Sequence, residues 1–243
     1  MELIKLSATD STNAYLKDLM LSNSLKDFTT VVTENQLSGR GQMGTVWDSE
    51  GGKNLTFSVL KKFNNFYILD QFLLSICVSL SIYNTLSKLH LPNLSVKWPN
   101  DILSGNSKIC GILLENSLSG NKIQTSVVGI GLNVNQIVFN NLNNVSSLKL
   151  LLGKNFHLEE LLQKLLTDLK VNLDNMHNVA KEKLFSDYEN IMFRKNKPST
   201  FEDPNGNLFM GFIKGISSQG KLLIELEDKI VKEFGLKEIK LLY

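Results

Sequence analysis

Hydrophobic and polar positions alternate along the chain with two periods, which predict a mixed succession of helices and strands. Apolar residues that recur every three or four positions predict helices, and short β-branched or alternating runs predict strands. The first helix follows Ser11-Thr12-Asn13, where a serine or threonine hydroxyl is a typical helix cap. The pattern predicts helices at 14–20, 68–89, 158–176 and 179–191, strands at 28–34, 54–60, 94–103, 108–116 and 123–135, and an asparagine-rich loop at 140–144.

The order of these elements predicts an α+β fold, with a mixed, largely antiparallel sheet packed with helices. Turn residues between the strands at 94–135 favour a meander. Beyond Lys197-Pro198 the pattern changes to short strands separated by DPNGN and SSQGK. These strands predict a small C-terminal β-barrel of SH3-like size. We therefore expect one domain at 1–194 and a second at 195–243.

The composition is that of an ordinary globular protein. Of the 243 residues, 42% are hydrophobic and 21% are charged, which argues against disorder. The formal net charge of +2 gives no support for a dedicated DNA-binding or membrane surface. The N-terminus has no apolar signal core, and the longest apolar region, at 72–83, is interrupted by serines and shorter than a bilayer span.

The cysteines and histidines add little chemistry. Cys77 and Cys110 form no C-x-x-C pair, so reduced and buried thiols are expected. The three histidines, His90, His157 and His177, are too scattered in sequence for a metal site. Together with the absence of a signal core, these features predict a soluble, cytoplasmic protein.

A glycine-rich loop at 39–44, GRGQMG, has the G-x-G-x-x-G spelling of a dinucleotide-binding loop. That loop requires a strand before it and a helix after it, and here a turn and a second strand follow. The Rossmann interpretation is therefore rejected. The glycines allow close approach of a ligand, and Arg40 could bind a phosphate or carboxylate. The alternative is a mobile hairpin loop with a solvated arginine.

Three further stretches could carry chemistry. Lys97 ends a strand just before Pro-Asn-Asp, where its ammonium could stabilise charge on a phosphoryl oxygen; the alternative is a solvent-facing lysine. Gly111 interrupts an apolar strand, which indicates either close ligand approach or a β-bulge. Alternation places Gly129, Gly131, Asn133 and Asn135 on one face, which predicts either a shallow polar groove or packing against a helix.

The order and spacing of these stretches resemble the biotin protein ligases, also called biotin–[acetyl-CoA-carboxylase] ligases. The matching pieces are Ser11-Thr12-Asn13, Gln36, GRGQMGTVW, KWPND, KICGILLE and GIGLNVN. The resemblance runs from near the first residue to about Asn135. It implies a class II synthetase-like catalytic domain, as in biotin and lipoate ligases, followed by a small β domain.

The resemblance implies a two-step reaction. Biotin and ATP, the latter with Mg²⁺, form biotinyl-5′-AMP, and a lysine of a biotin carboxyl carrier protein then accepts the biotinyl group. Arg40 and Lys97 are implied as catalytic, and no metal site formed by protein groups alone is implied. The implied biotin-binding residues are Ser11, Thr12, Asn13, Gln36, Arg40, Gly41, Gln42, Lys97 and Gly111, and the implied ATP-binding residues are Arg40, Trp47, Asn54, Lys97, Lys108 and Asn133.

Two departures from the family pattern have consequences. Gln42 and Thr45 stand where the family loop often has arginines, so we expect biotinyl-AMP to be held less tightly than in relatives with the full set. Ser11 falls close to residue 1, so we expect a short form without an N-terminal DNA-binding domain. A homodimer is compatible with the resemblance. The alternatives are a lipoate or octanoate transferase of the same fold, and a non-catalytic binding scaffold.

Overall fold

The computed structural model describes residues 2–140 and 142–243 and shows an α+β fold with two sheets. Of the predicted asparagine-rich loop, Asn141 lies outside the described residues. The large sheet contains β1 (Leu3–Thr9), β2 (Thr30–Gln36), β3 (Leu55–Tyr67), β4 (Leu94–Lys97), β5 (Asp101–Ser104), β6 (Ser107–Ser119) and β7 (Lys122–Leu132). The helices are α1 (Thr12–Ser22), α2 (Gln71–Ser87), α3 (Leu148–Leu152), α4 (Leu158–Asn175) and α5 (Lys181–Asn190).

The large sheet has the strand order β1-β2-β3-β7-β6-β5-β4. Strands β1 and β2 are parallel, and the other neighbours are antiparallel. The predicted mixed sheet is therefore confirmed, and β4 to β7 form the predicted meander. The sequence pattern did not identify β1, an edge strand none of whose residues is fully buried, nor the five-residue α3.

Helices α2 and α4 pack together and supply much of the core. Leu74, Ile76 and Ile82 of α2 and Leu165 and Leu166 of α4 are fully buried. The longest apolar region was expected to be shorter than a bilayer span, and this was wrong. The helical segment 68–87 is long and apolar enough, by length and composition alone, to cross a membrane. Half of this segment is buried, and its side chains such as Leu74, Ile76 and Ile82 belong to the core.

Both cysteines are free and buried, as the sequence indicated. Cys77 lies on α2 and Cys110 on β6. Burial raises the pKa of the Cys77 thiol to about 12, and burial also raises the pKa of Cys110. Both thiols are therefore protonated at neutral pH and belong to the core.

A second, five-stranded antiparallel sheet forms the C-terminal region, which confirms the predicted small β domain. Its order is β11-β10-β9-β8-β12, so β11 and β12 are the two outer strands. Helix α5 and strand β8 flank the predicted domain boundary at residues 194 and 195, which stays a prediction. The strands are β8 (Pro198–Glu202), β9 (Leu208–Ile216), β10 (Leu222–Leu226), β11 (Val231–Phe234) and β12 (Lys240–Leu242).

The two sheets meet at the turn between β4 and β5. Trp98 in this turn donates its indole N–H to the main-chain oxygen of Gly220, at 2.8 Å, in the turn between β9 and β10. The peptide bond between Trp98 and Pro99 is cis. The Tyr188 hydroxyl of α5 donates to the main-chain oxygen of Pro99 at 3.4 Å. The turn that follows Lys97 is thus held from both sides by the body of the protein.

Candidate active site

A cavity of about 240 Å³ opens on one face of the large sheet, and we call it the central cavity. The N-terminus of α1, the end of β2, the glycine loop and strands β5 to β7 form its walls. It brings together residues that are as much as 120 positions apart in the sequence. The predicted site residues that line it are Ser11, Thr12, Asn13, Gln36, Arg40, Gly41, Gln42, Trp47, Lys108 and Gly111.

One end of the central cavity is neutral and polar. The Thr12 N–H and hydroxyl lie 2.9 and 3.3 Å from Gln36 Oε1, to which they donate. The Ser58 hydroxyl oxygen, fully buried on β3, lies 2.7 Å from Thr12 Oγ1 and 2.6 Å from Asn13 Oδ1. Because Gln36 accepts with its oxygen, its side-chain nitrogen is the donor that it can offer to a ligand.

A carboxylate holds this polar end in place. Asn13 Nδ2 donates to Glu115 Oε2 at 2.8 Å, and Lys17 Nζ donates to Glu115 Oε1 at 2.7 Å. Burial alone raises the pKa of Glu115, but the hydrogen bonds from Lys17 and Asn13 and the charges of Lys17 and Arg40 lower it on balance. Glu115 is therefore an anion that fixes which end of the Asn13 amide faces Ser58.

Glycines form the floor of the central cavity. Gly111 and Gly131 are direct partners in the β6–β7 ladder, and the Trp47 indole lies against both. A Cβ atom would come within 3.0 Å of Trp47 Cζ3 at Gly111. At Gly131 and at Gly129 it would overlap Trp47 and Asn13 respectively. These glycines therefore leave room for the Trp47 and Asn13 side chains, and at Gly129 the neighbour belongs to α1, as in the predicted alternative of packing against a helix; close approach of a ligand at Gly111 stays a prediction.

Trp47 lies on this glycine floor in the structure, at the position where a flat ligand could also stack. Its indole nitrogen is buried and has no hydrogen-bond partner among the described residues. Lys108 Nζ lies 5.5 Å from the centre of the Trp47 ring. A ligand that occupies the floor would have to share it with the indole or displace it.

The other end of the central cavity is charged. Lys108 Nζ forms an ion pair with Asp101 Oδ1 at 2.7 Å, between neighbouring strands β6 and β5. Lys97, predicted as the catalytic lysine, does not line the central cavity. It lies in an adjacent cleft of about 380 Å³ between the β4–β5 turn and the C-terminal domain. Gln42 and Thr45 line both spaces, so the glycine loop separates them.

Lys97 is a half-buried cation with two charged neighbours. Burial lowers the pKa of Lys97, the carboxylate of Asp101 opposes that shift, and the charge of Lys108 adds to it. Lys97 ends β4, Asp101 begins β5 and Lys108 lies near the start of β6, so three adjacent strands bring these groups together. Two ammonium groups next to one carboxylate leave a positive site that favours an anionic ligand.

The glycine loop is a closed hairpin and does not lead into an α-helix. The Trp47 N–H donates to the Gly39 oxygen at 3.0 Å, and the Gly41 N–H donates to the Thr45 oxygen at 2.7 Å. Only a 3₁₀ turn at Gln42–Gly44 lies between β2 and β3. The rejection of a Rossmann loop is confirmed. Arg40 is exposed at the mouth of the central cavity.

Asn54 and Asn133 lie behind the site. The Asn54 side chain accepts from the Val134 N–H at 2.8 Å and donates to Gln136, and Asn133 Nδ2 donates to the Ser146 oxygen at 3.0 Å. Strand β7 ends at Leu132, so the predicted alternation does not carry on to Asn133. Asn133 Oδ1 is buried without a hydrogen-bond partner among the described residues, so it can accept from a ligand only after local movement.

The sequence pattern did not indicate Ser58, Lys17 or Asn100 as site residues, nor the hydrogen bonds and ion pair of Glu115. Ser58 was detectable as a polar residue inside the buried run Leu55–Leu60. Asn100 donates to the main-chain oxygen of Ile112 and so ties the β4–β5 turn to β6. Nothing in the local pattern connects Lys17 to a residue that is 98 positions away.

Comparison with known proteins identifies the family. Residues 6–133, more than half of the chain, match the Biotin/lipoate A/B protein ligase family model. The biotin--[acetyl-CoA-carboxylase] ligase of Paracoccus denitrificans is 37% identical over 131 residues, which are 53% of each protein. The match therefore spans about half the length of that relative. The bifunctional ligase/repressor BirA of Escherichia coli is 30% identical over 97% of this chain and 73% of its own.

The solved structures agree with the sequence comparisons. The biotin protein ligase of Aquifex aeolicus in complex with biotin and ATP superposes with a TM-score of 0.81 and 28% identity. The superposition covers 99% of this chain and 98% of that protein. Both sheets are therefore part of the shared fold.

Proposed function

The chain belongs to the Biotin/lipoate A/B protein ligase family, and on that basis we propose that it is an ATP-dependent biotin protein ligase. In this proposal it forms biotinyl-5′-AMP from biotin and ATP. It then transfers biotin to the ε-amine of one lysine on a biotin carboxyl carrier protein. The observation that carries the proposal is the polarity of the central cavity, which has uncharged polar groups at one end and the Lys108–Asp101 ion pair at the other, next to Lys97 in the adjacent cleft.

The neutral end suits the ureido ring of biotin. That ring has one acceptor and two N–H donors and no charge, so it needs hydroxyl and amide partners rather than ions. Thr12, Asn13, Ser58 and Gln36 offer these groups beside the glycine floor. The apolar rings of biotin would then lie over the floor, with the valeryl chain directed towards Lys108.

The charged end of the central cavity, together with Lys97 in the adjacent cleft, suits the first chemical step. A biotin carboxylate oxygen attacks the α-phosphorus of ATP, the bond from that phosphorus to the bridging oxygen breaks, and pyrophosphate leaves. Lys97, Lys108 and Arg40 can offset the negative charge that develops on the phosphoryl oxygens. ATP would enter with Mg²⁺ as a substrate pair. Of the described residues, no cluster of His, Cys, Asp or Glu could hold a metal ion by itself.

The second step requires a neutral lysine on the carrier. Its nitrogen attacks the acyl carbon of biotinyl-AMP, the acyl–phosphate bond breaks, AMP leaves and the amine loses a proton. At pH 7 only about one lysine in a few thousand is neutral at its ordinary pKa. Asp101 is a candidate to accept the proton, and one of its two carboxylate oxygens is paired with Lys108.

The proposed setting is the cytoplasm, with a carrier domain of a biotin-dependent carboxylase as the partner. The formal net charge is only +2, so we propose no DNA-binding role for residues 1–243. A homodimer is compatible with the family resemblance, and sedimentation of the purified protein would test it.

Biotin-dependent pyrophosphate release from MgATP tests the enzymatic proposal. We expect release with biotin and none without it, and a mass matching biotinyl-AMP in the quenched reaction. Lipoate is the matched alternative, because the family model covers biotin and lipoate ligases, and octanoate tests the related acyl substrate. Pyrophosphate release with lipoate or octanoate but not with biotin would overturn the substrate assignment. No release with any of the three would overturn the proposed ATP-dependent adenylation.

A further inference from the structure

The half-buried Tyr243 lies directly against the proposed catalytic lysine. Lys97 Nζ lies 5.1 Å from the centre of the Tyr243 ring, within the range of a cation–π contact. Tyr243 follows β12 of the C-terminal domain, whereas Lys97 ends β4 of the catalytic sheet. The C-terminal domain therefore supplies one wall of the environment of this lysine.

Two contacts fix the position of the Tyr243 ring. Its centre lies 5.0 Å from that of Phe193, with the ring planes 65° apart, an edge-to-face arrangement. The Asn144 side-chain nitrogen donates to the Tyr243 main-chain oxygen at 3.1 Å. Asn144 in turn accepts from the Lys108 N–H at 2.7 Å with its own main-chain oxygen. Tyr243 is thus tied to the strands of both site lysines.

We propose that Tyr243 is a positioning residue, which holds the Lys97 ammonium towards the phosphoryl group during adenylation. A lysine has four rotatable side-chain bonds and no fixed geometry of its own, so a contact that restricts it favours the reactive arrangement. The aromatic face restricts the ammonium without an anion that would neutralise it. This inference rests on the proposed ligase function and adds a residue to it.

The ring and not the hydroxyl carries this role, which makes Tyr243→Phe the conservative variant. We expect Tyr243→Phe to keep adenylation within about twofold of the native rate, and Tyr243→Ala to lower kcat about tenfold and weaken ATP binding. Biotin affinity, measured without ATP, should be unchanged, because the neutral end lies across the glycine loop. Phe212→Ala, which truncates a partly exposed aromatic residue of the same domain, is the matched control and should match the native rate.

A double-mutant comparison separates positioning from general stability. In a Lys97→Met background, Tyr243→Ala should cause no further loss of ATP affinity, since the group that it positions is gone. An equal loss in both backgrounds would overturn the proposal, as would a Tyr243→Phe protein as slow as Tyr243→Ala. Native activity in Tyr243→Ala would overturn it as well.

A second variant covers the case in which Tyr243→Ala does not fold. Asn144 has a positive φ of 56°, so Asn144→Gly removes the amide donor without straining the backbone. It should lower kcat about two- to threefold, by loosening Tyr243. A native kcat in Asn144→Gly would then count against the inference. If the native protein forms no biotinyl-AMP at all, the ligase proposal itself fails, and that outcome is distinct from any result of these variants.

Discussion

Side chains of the central cavity are fixed by contacts between residues far apart in the chain. The Ser11–Asn13 cap, Gln36 and the glycines could be predicted, because each follows a local rule for caps, strand ends or close approach. Ser58 and the role of Glu115 could not, since their partners are 45 and 102 positions away. Local patterns contain no information about such pairs.

Gly131 offers a direct test of the glycine floor. An added methyl group at this position would overlap the Trp47 indole, so Gly131→Ala should push the indole out and narrow the space for biotin. We expect biotin affinity to fall at least about tenfold, by roughly 1.4 kcal/mol or more. Tryptophan emission should shift to the red as Trp47 becomes exposed.

Gly51→Ala is the matched control for that substitution. A methyl group there makes only ordinary contacts with Asn35, and the position is exposed. It should leave both biotin affinity and emission as in the native protein. Native biotin affinity in Gly131→Ala would show that the ligand does not use the glycine floor.

Lys97 should impose a pH dependence on adenylation. The ammonium is the useful form, and burial lowers its pKa, so activity should be lost as pH rises and at a lower pH than the ordinary lysine value of about 10.4. Pyrophosphate release between pH 7 and 10.5 measures this limb. Lys97→Arg stays charged over that range, and should be slower but lack the limb. An identical alkaline limb in Lys97→Arg would assign the titration to another group.

At the scale of the elements, the sequence pattern predicted the buried parts better than the edges. The α2 and α4 helices and strands β3, β6 and β7 are long and have many buried apolar positions, so their apolar pattern is easy to recognise. The missed β1 is an edge strand, and in the C-terminal sheet the predicted segments did not include β12, which is three residues long and also at an edge. Half-solvated edges impose a weaker alternation.

The junction of α1 with β3 should determine biotin affinity more than stability. Ser58→Ala removes the hydroxyl that contacts both Thr12 and Asn13, and leaves a buried amide oxygen without that partner. We expect a loss of about 1–2 kcal/mol in biotin binding by calorimetry. Asn13 remains held by Glu115, so the melting temperature should change by only a few degrees.

Ser79→Ala is the control for a buried serine. Ser79 is 1% exposed on α2, and its hydroxyl has no hydrogen-bond partner among the described residues. This variant should bind biotin like the native protein. If Ser58→Ala also bound biotin with native affinity, the neutral end of the central cavity would not be the ureido site.

At the scale of the whole molecule, a buried lysine ties α4 to the large sheet. Lys61 on β3 donates to Asp27 Oδ2 at 2.9 Å and to Asp174 Oδ1 at 2.8 Å, and its side chain is 9% exposed. Lys61→Met should lower the free energy of unfolding by about 2 kcal/mol. This loss is smaller than that for a fully buried ion pair, because both carboxylates are partly solvated. Lys183→Met, in an exposed pair with Asp187, should cost less than about 0.5 kcal/mol.

The same lysine predicts the pH dependence of that stabilisation. Burial alone lowers the pKa of Lys61, but the hydrogen bonds and charges of Asp174 and Asp27 raise it on balance above 10.5. The stabilisation is therefore complete below the unfolded-state pKa and is lost as pH rises through the folded-state value. In urea titrations, the gap between native and Lys61→Met should be constant near neutral pH and should close at strongly alkaline pH. A gap that widened with pH would contradict this assignment.

The most direct test of the proposed ligase is the transfer reaction itself. A purified biotin carboxyl carrier domain is incubated with this protein, MgATP and biotin, and its mass is measured, with Lys97→Ala in parallel. We expect a mass gain of one biotinyl group on a single carrier lysine, strongly reduced by the variant. No gain with biotin, or a gain with lipoate or octanoate in its place, would contradict it.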